Sequence, residues 1–275
     1  MASELRPLGL GELLDRTFFL YRKHFLLFVG IIALPHLILL AFQLAGVAFR
    51  PEKGAGFALA SALWTLATMI VLLGVTAASQ GATVIAVSHV HLDRPITITE
   101  SFAGMKGRIL YLALIMIGYG IGVGVGLILL IIPGIILLLM WALTIPVAVL
   151  EDKGLRDSVN RSAELTKGFR GRVFVVYFLF LILVYAVTVA LELPIFTMVG
   201  LTARSHDPAS LASTLRWTQI LMPVCTFFSQ CLVGPLMTIG LSLLYYDLRV
   251  RKEAFDLQHM MAALDGSNQT VPSPV

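Results

Sequence analysis

The amino-acid sequence predicts an all-α polytopic membrane protein. Six transmembrane helices form three hairpins, each introduced by a cytoplasmic interfacial amphipathic helix. Three observations predict this. Of 275 residues, 58% are hydrophobic and only 13% are charged, with a mean hydropathy of +0.89. A soluble domain carries about 25% charged residues, so the composition argues against a soluble enzyme, and it argues against a disordered chain, which needs low hydrophobicity. Apolar stretches of about 20 residues or more, the length that crosses a bilayer, recur along the chain. Finally, the basic residues alternate between the connecting segments in a strongly one-sided way.

The elements follow in order. Residues 8–24 read as an interfacial helix, with Leu10, Leu13, Leu14, Phe18 and Tyr21 on one stripe and Glu12, Asp15, Arg16, Arg22 and Lys23 opposite. The first span is 25–49 and the second 57–90, long enough to tilt or to end in the interface. Thr97-Ile98-Thr99-Glu100 is a capping-box pattern that opens a second short helix. The uncharged run Ile109–Leu150 is long enough for two spans, placed at 109–131 and 134–150, with Pro133-Gly134 as the reversal. In the segment Asp152–Lys167 the residues Lys153, Arg156, Asp157, Asn160, Arg161, Glu164 and Lys167 form a polar stripe, and Leu155, Val159 and Ala163 face away. The fifth span is 173–200. The sixth is 217–246, with kinks expected at Pro223 and Gly234-Pro235. Residues 1–257 thus make one membrane domain, and 258–275 read as a disordered cytoplasmic tail. No cleavable signal peptide is apparent, since the first 24 residues carry seven charges and the apolar run that follows is too long.

The positive-inside rule orients the bundle. With six spans both termini share a side, and 16 of the 20 Lys and Arg lie on it; Arg50, Lys53, Arg204 and Arg216 lie opposite. Both termini are therefore expected in the cytoplasm of a bacterial cell, with the chain in the inner membrane. The same bias accounts for the pI of about 9.2, so no nucleic-acid partner is expected. Cys225 and Cys231 share one apolar stretch and point in different directions on a helix, which suits packing better than a disulfide.

Several side chains are candidates for chemistry. Gly118, Gly122 and Gly126 form a small-xxx-small face for close helix packing. The surrounding alternate glycines lack the third glycine of a dinucleotide fingerprint. His36, after Pro35 in the first span, and Glu192, the one acidic residue within a span, are the candidate intramembrane polar site. For His36 a structural hydrogen bond is the simpler reading, and for Glu192 a position near the outer interface. Gln43, Gln80, Gln219 and Gln230 are candidate interhelical contacts. His89-Val90-His91 has no further ligand at metal spacing. No catalytic residue, cofactor or metal site is expected, and no hydrolase or metalloprotease motif occurs. The basic residues Lys153, Arg156, Arg161, Lys167, Arg170 and Arg172 are the candidate surface for anionic membrane lipid or a protein partner.

Four segments carry a family resemblance: Leu10-Gly11-Glu12-Leu13-Leu14-Asp15; Ile132-Pro133-Gly134-Ile135 with Trp141; Glu151-Asp152-Lys153-Gly154 with Ser162-Ala163-Glu164-Leu165-Thr166-Lys167-Gly168; and Tyr245 to Leu257. Together they resemble the bacterial membrane domain of glycerophosphoryl diester phosphodiesterase over essentially the whole chain. In some members of that family the domain is fused to a soluble phosphodiesterase, whose catalytic part carries a His-Arg-Gly motif. None of the six histidines here precedes an arginine, so the resemblance implies no phosphodiesterase activity in this chain. The resulting expectation is a non-catalytic membrane scaffold or lipid-interacting protein. The alternatives are a lipid or small-molecule transporter, marked by broken helices and polar groups meeting at midplane, and an intramembrane enzyme.

Overall fold

A computed structural model describes residues 8–49, 56–204 and 207–268, with side chains through Glu253. Among these residues it is helical throughout, without strands. The helices are α1 (Leu10–Lys23), α2 (Phe25–Phe49), α3 (Phe57–His91), α4 (Ile98–Ala103), α5 (Ile109–Leu129), α6 (Ile131–Met140), α7 (Thr144–Leu150), α8 (Leu155–Thr166), α9 (Arg170–Arg204) and α10 (Pro208–Asn268). Six units are long and apolar enough to span a membrane: α2, α3, α5, α6 with α7, α9, and α10 through Glu253.

Sequential spans pair as hairpins: α2 with α3, α5 with α6, and α9 with α10. The last helix also lies against α2 and α3, which closes the bundle. A short helix precedes each hairpin. The start of α1 is fixed by Gly9 N–H donating to Glu12 Oε2 at 2.7 Å. At α4 the capping box forms as the sequence predicts, with Thr97 N–H donating to Glu100 Oε2 at 2.7 Å and Glu100 N–H to Thr97 Oγ1 at 3.3 Å. These bonds satisfy amides that a helix start leaves without partners. The buried core runs from Leu13 and Phe28 through Ile115, Leu143, Leu165 and Phe180 to Ile239, Leu243 and Tyr245.

The reversal between the third and fourth spans differs from the expectation. The chain turns at Leu130, the one extended residue (φ −159°, ψ 126°) between α5 and α6. Pro133 and Gly134 lie in the first turn of α6. Proline is tolerated there because first-turn amides have no helical acceptor. Gly134 is needed for proximity: a Cβ on it would lie 2.5 Å from Leu127 N.

The fourth span is also interrupted, where the sequence suggests one continuous helix. Residues Trp141–Leu143 form a turn between α6 and α7. Pro146 has no N–H to give to Ala142 O, which weakens the helix at this point. The face of α8 toward the bundle bonds other backbone groups at the break. Ser162 Oγ donates to Met140 O at 2.8 Å and accepts from Leu143 N at 3.1 Å, and Thr166 Oγ1 donates to Met140 O at 3.2 Å. The buried side of α8 is thus Ser158, Ser162, Leu165 and Thr166, and Leu155 reaches α5 at Gly118. A pattern of charges alone does not reveal that small hydroxyls one turn apart can splice a broken helix.

Smaller differences concern the ends. Spans five and six extend beyond the expected 173–200 and 217–246, and α10 runs unbroken through Pro223 and Pro235. It continues to Asn268, into the segment expected as a tail; residues 269–275 lie outside the described residues. So do Arg6, Arg50 and Lys53 of the charge count.

Candidate functional site

A partly open cavity of about 710 Å³ lies between the helices, with walls from α2, α3, α5, α9 and α10 and from the α6–α7 break. His36 and Gln80 line it, each eleven residues from the end of its helix nearest Lys23 and His91. At 1.5 Å per residue that is about 17 Å in, close to mid-bilayer. Trp141 and Ala142 of the interrupted span form part of the wall, beside Tyr119 and Tyr177. The rings of Tyr119 and Trp141 lie 6.4 Å apart.

His36 is held by its own helix. Its Nδ1 lies 2.8 Å from Ile32 O and 3.5 Å from Ser79 Oγ. A carbonyl only accepts, so Nδ1 carries the proton and Nε2 is left as an acceptor. The structural hydrogen bond expected for His36 is present, although the carbonyl freed by Pro35 is that of Ile31, one residue earlier. Glu192 accepts from Thr226 Oγ1 at 2.9 Å, and Thr226 lines the cavity. The two candidate intramembrane residues therefore relate to one cavity, His36 directly and Glu192 through a hydroxyl.

The glutamines Gln43, Gln80 and Gln230 also line this cavity. None of the three makes a hydrogen bond among the described residues. Sequence reasoning gave these glutamines to interhelical contacts, because periodicity cannot tell a side chain facing a neighbour from one facing a void.

At the end of the bundle carrying α1 and α8, the charged groups form two clusters. In the first, Glu151 accepts from Lys153 Nζ at 2.6 Å, Tyr245 OH at 2.9 Å and Arg161 Nε at 3.3 Å. Arg161 continues to Glu253 at 2.7 Å, and Arg249 joins Glu253 at 2.9 Å to Tyr245 at 3.1 Å. Burial alone would raise the Glu151 carboxyl, but the bonds from Lys153 and Tyr245 and the charge of Arg161 hold it below its ordinary value. In the second, Asp247 is fully buried between Arg172 at 3.2 Å and Arg251 at 3.1 Å, and it accepts from Leu8 N at 2.7 Å. Both arginines also donate to Leu8 O at 2.6 Å. Arg108 pairs with Asp152 nearby.

The six basic candidates therefore separate. Lys153, Arg161 and Arg172 are engaged by carboxylates within the chain. Arg156, Lys167 and Arg170 are exposed and make no ion pair among the described residues. Glu151, Tyr245, Asp247 and Glu253 were missed as site residues, although they stand in the segments that carry the family resemblance; the signal was a motif without a geometry.

The family model for the membrane domain of glycerophosphoryl diester phosphodiesterase matches residues 116–260, more than half of the chain. No curated protein and no solved structure matches.

Proposed function

Because this chain belongs to the family of glycerophosphoryl diester phosphodiesterase membrane domains, we propose that it is a non-catalytic protein of the bacterial inner membrane that holds a lipid or small molecule within its six-helix bundle. The observation that carries this reading is the 710 Å³ cavity at the α6–α7 break. Its size is that of ligand sites, which range from about 300 to 1,000 Å³. A bare scaffold has no use for unpaired glutamines facing a cavity at midplane, where an unpaired polar group is costly. Broken helices and converging polar groups at that depth are the hallmark of transporters, so movement of the ligand across or within the membrane is the natural extension. Both termini are cytoplasmic on this reading, and α1 and α8 lie along the cytoplasmic interface.

The test is ligand retention. Protein drawn into nanodiscs directly from membranes should carry a near-stoichiometric small molecule or lipid detectable by native mass spectrometry. Thr76→Phe, which fills the cavity from α3, should release it while the folded fraction is kept. A wild type that carries no ligand, or a folded Thr76→Phe that carries the same ligand, would remove this reading.

A second reading, as a surface that docks anionic lipid or an acidic partner, is favoured by the free Arg156, Lys167 and Arg170. Each basic group near an anionic leaflet contributes about 1 kcal/mol, so the three together supply roughly 3 kcal/mol. The informative substitution is these three residues to Gln, since Lys153 and Arg161 also hold Glu151.

A further inference from the structure

We propose that the central cavity selects an uncharged, hydroxyl-bearing amphiphile, with its hydroxyls bonded by Gln43, Gln80, Gln230 and His36 and the apolar part directed along the greasy wall. This rests on the reading of the cavity as a ligand site and specifies the chemistry of its occupant.

The first ground is charge. Among the described residues no Asp, Glu, Lys or Arg lines the cavity. A phosphate, carboxylate or ammonium entering it would lose its hydration and meet no counter-ion, which costs several kcal/mol per ion. Glu192, reached from the wall through Thr226, already accepts from that hydroxyl. The second ground is the kind of hydrogen bonding on offer. A glutamine amide presents donors and an acceptor together, and all three are without protein partners among the described residues. His36 Nε2 adds a further acceptor, since Nδ1 is bound to Ile32 O. Three hydroxyls on the wall are already spent: Thr76 donates to Leu72 O at 2.7 Å, Thr144 to Trp141 O at 2.7 Å and Thr226 to Glu192 at 2.9 Å. Groups that can donate and accept at once, as alcohols do, match three amides and an imidazole. An anion, which only accepts, leaves the amide carbonyls and Nε2 unpaired. The third ground is the apolar part of the wall, which includes Ile32, Leu39, Leu72, Met116, Phe227 and Leu241. A purely polar polyol would leave that surface unmatched.

The experiment uses the full chain in nanodiscs and four probes. Three share one acyl chain and differ only in the head: a monoacylglycerol, its phosphorylated anionic counterpart and an acylcholine cation. The fourth is free glycerol. Binding is read by competition against the co-purified ligand in native mass spectrometry and, independently, by the fluorescence of Trp141 in a variant with Trp64 and Trp217 changed to Phe. The monoacylglycerol is expected to bind at least tenfold more tightly than either charged amphiphile and far more tightly than glycerol. Gln80→Leu and Gln230→Leu should each weaken it about tenfold while leaving the melting temperature near that of wild type. Glycerol binding as tightly as the monoacylglycerol would overturn the amphiphile claim. Tighter binding of the anionic or the choline-headed probe would overturn the inferred chemistry while leaving the cavity as a ligand site. Failure of all four, together with an occupant that Thr76→Phe does not release, would overturn the cavity reading itself.

Discussion

At the scale of single residues, the carboxylates of Glu151 and Asp247 organise the charged end of the bundle. Each sits where several cations converge, so each holds parts of the chain far apart in sequence: Glu151 ties the segment before α8 to α10, and Asp247 ties Leu8 to α9 and α10. Glu151 makes stability depend on acid. Its folded pKa is depressed, so its contribution is complete above the ordinary carboxylate pKa, about 4.3. It is lost as pH falls through the lower folded value, because the unfolded chain takes up the proton first. Thermal melts in micelles should show the wild type losing stability below about pH 4.3. Glu151→Gln should be less stable at pH 7, since it leaves Arg161 and Lys153 without their anion, and its acid limb should be flatter. Parallel acid limbs for the two proteins would mean that Glu151 is not held by this network.

At the scale of elements, the small face of α5 shows how a glycine pattern becomes a contact. A Cβ on Gly118 would lie 2.5 Å from Leu155, one on Gly122 would lie 2.4 Å from Trp141, and one on Gly126 would lie 3.2 Å from the Gly134 backbone. The intervening Gly124 would meet nothing within 4 Å. The i, i+4, i+8 face is therefore closely packed and the alternate glycines are not. Gly122→Ile should lower stability by about 1–3 kcal/mol, the usual cost of overpacking, whereas Gly124→Ile should be nearly neutral. Urea or thermal unfolding in detergent separates the two, and equal effects would refute the face assignment. Because Trp141 also lines the cavity, Gly122→Ile should disturb ligand retention as well.

At the scale of the whole molecule, orientation is the property with the most direct measurement. In a background with Cys225 and Cys231 replaced by Ser, a cysteine at Ser210 should react with an impermeant thiol reagent added outside intact cells, and one at Asp157 should not. The segment between the first two spans, including Gly54, lies outside the described residues but should label as Ser210 does. Labelling of Asp157 alone would invert the bundle.

The sequence by itself determined the helical class, the six spans and their pairing in order, the capping box at Thr97 and the packing face of α5. Each of these depends on local chemistry: an apolar run must cross a bilayer as a helix because its backbone has no other hydrogen-bond partners there, and a glycine face repeats at helical period. Only the tertiary structure decided where the fourth span breaks, which face of α8 turns inward, and which polar residues share a space. Ser162 and Met140 are 22 residues apart, and His36, Gln80 and Gln230 come from three helices. Nothing in their own neighbourhoods says that they will meet. The same holds for the basic residues of 153–172. Their sign could be read along the chain, but whether each is free or spent depends on carboxylates such as Glu253 and Asp247, which the last helix brings back across the bundle from the far end of the sequence.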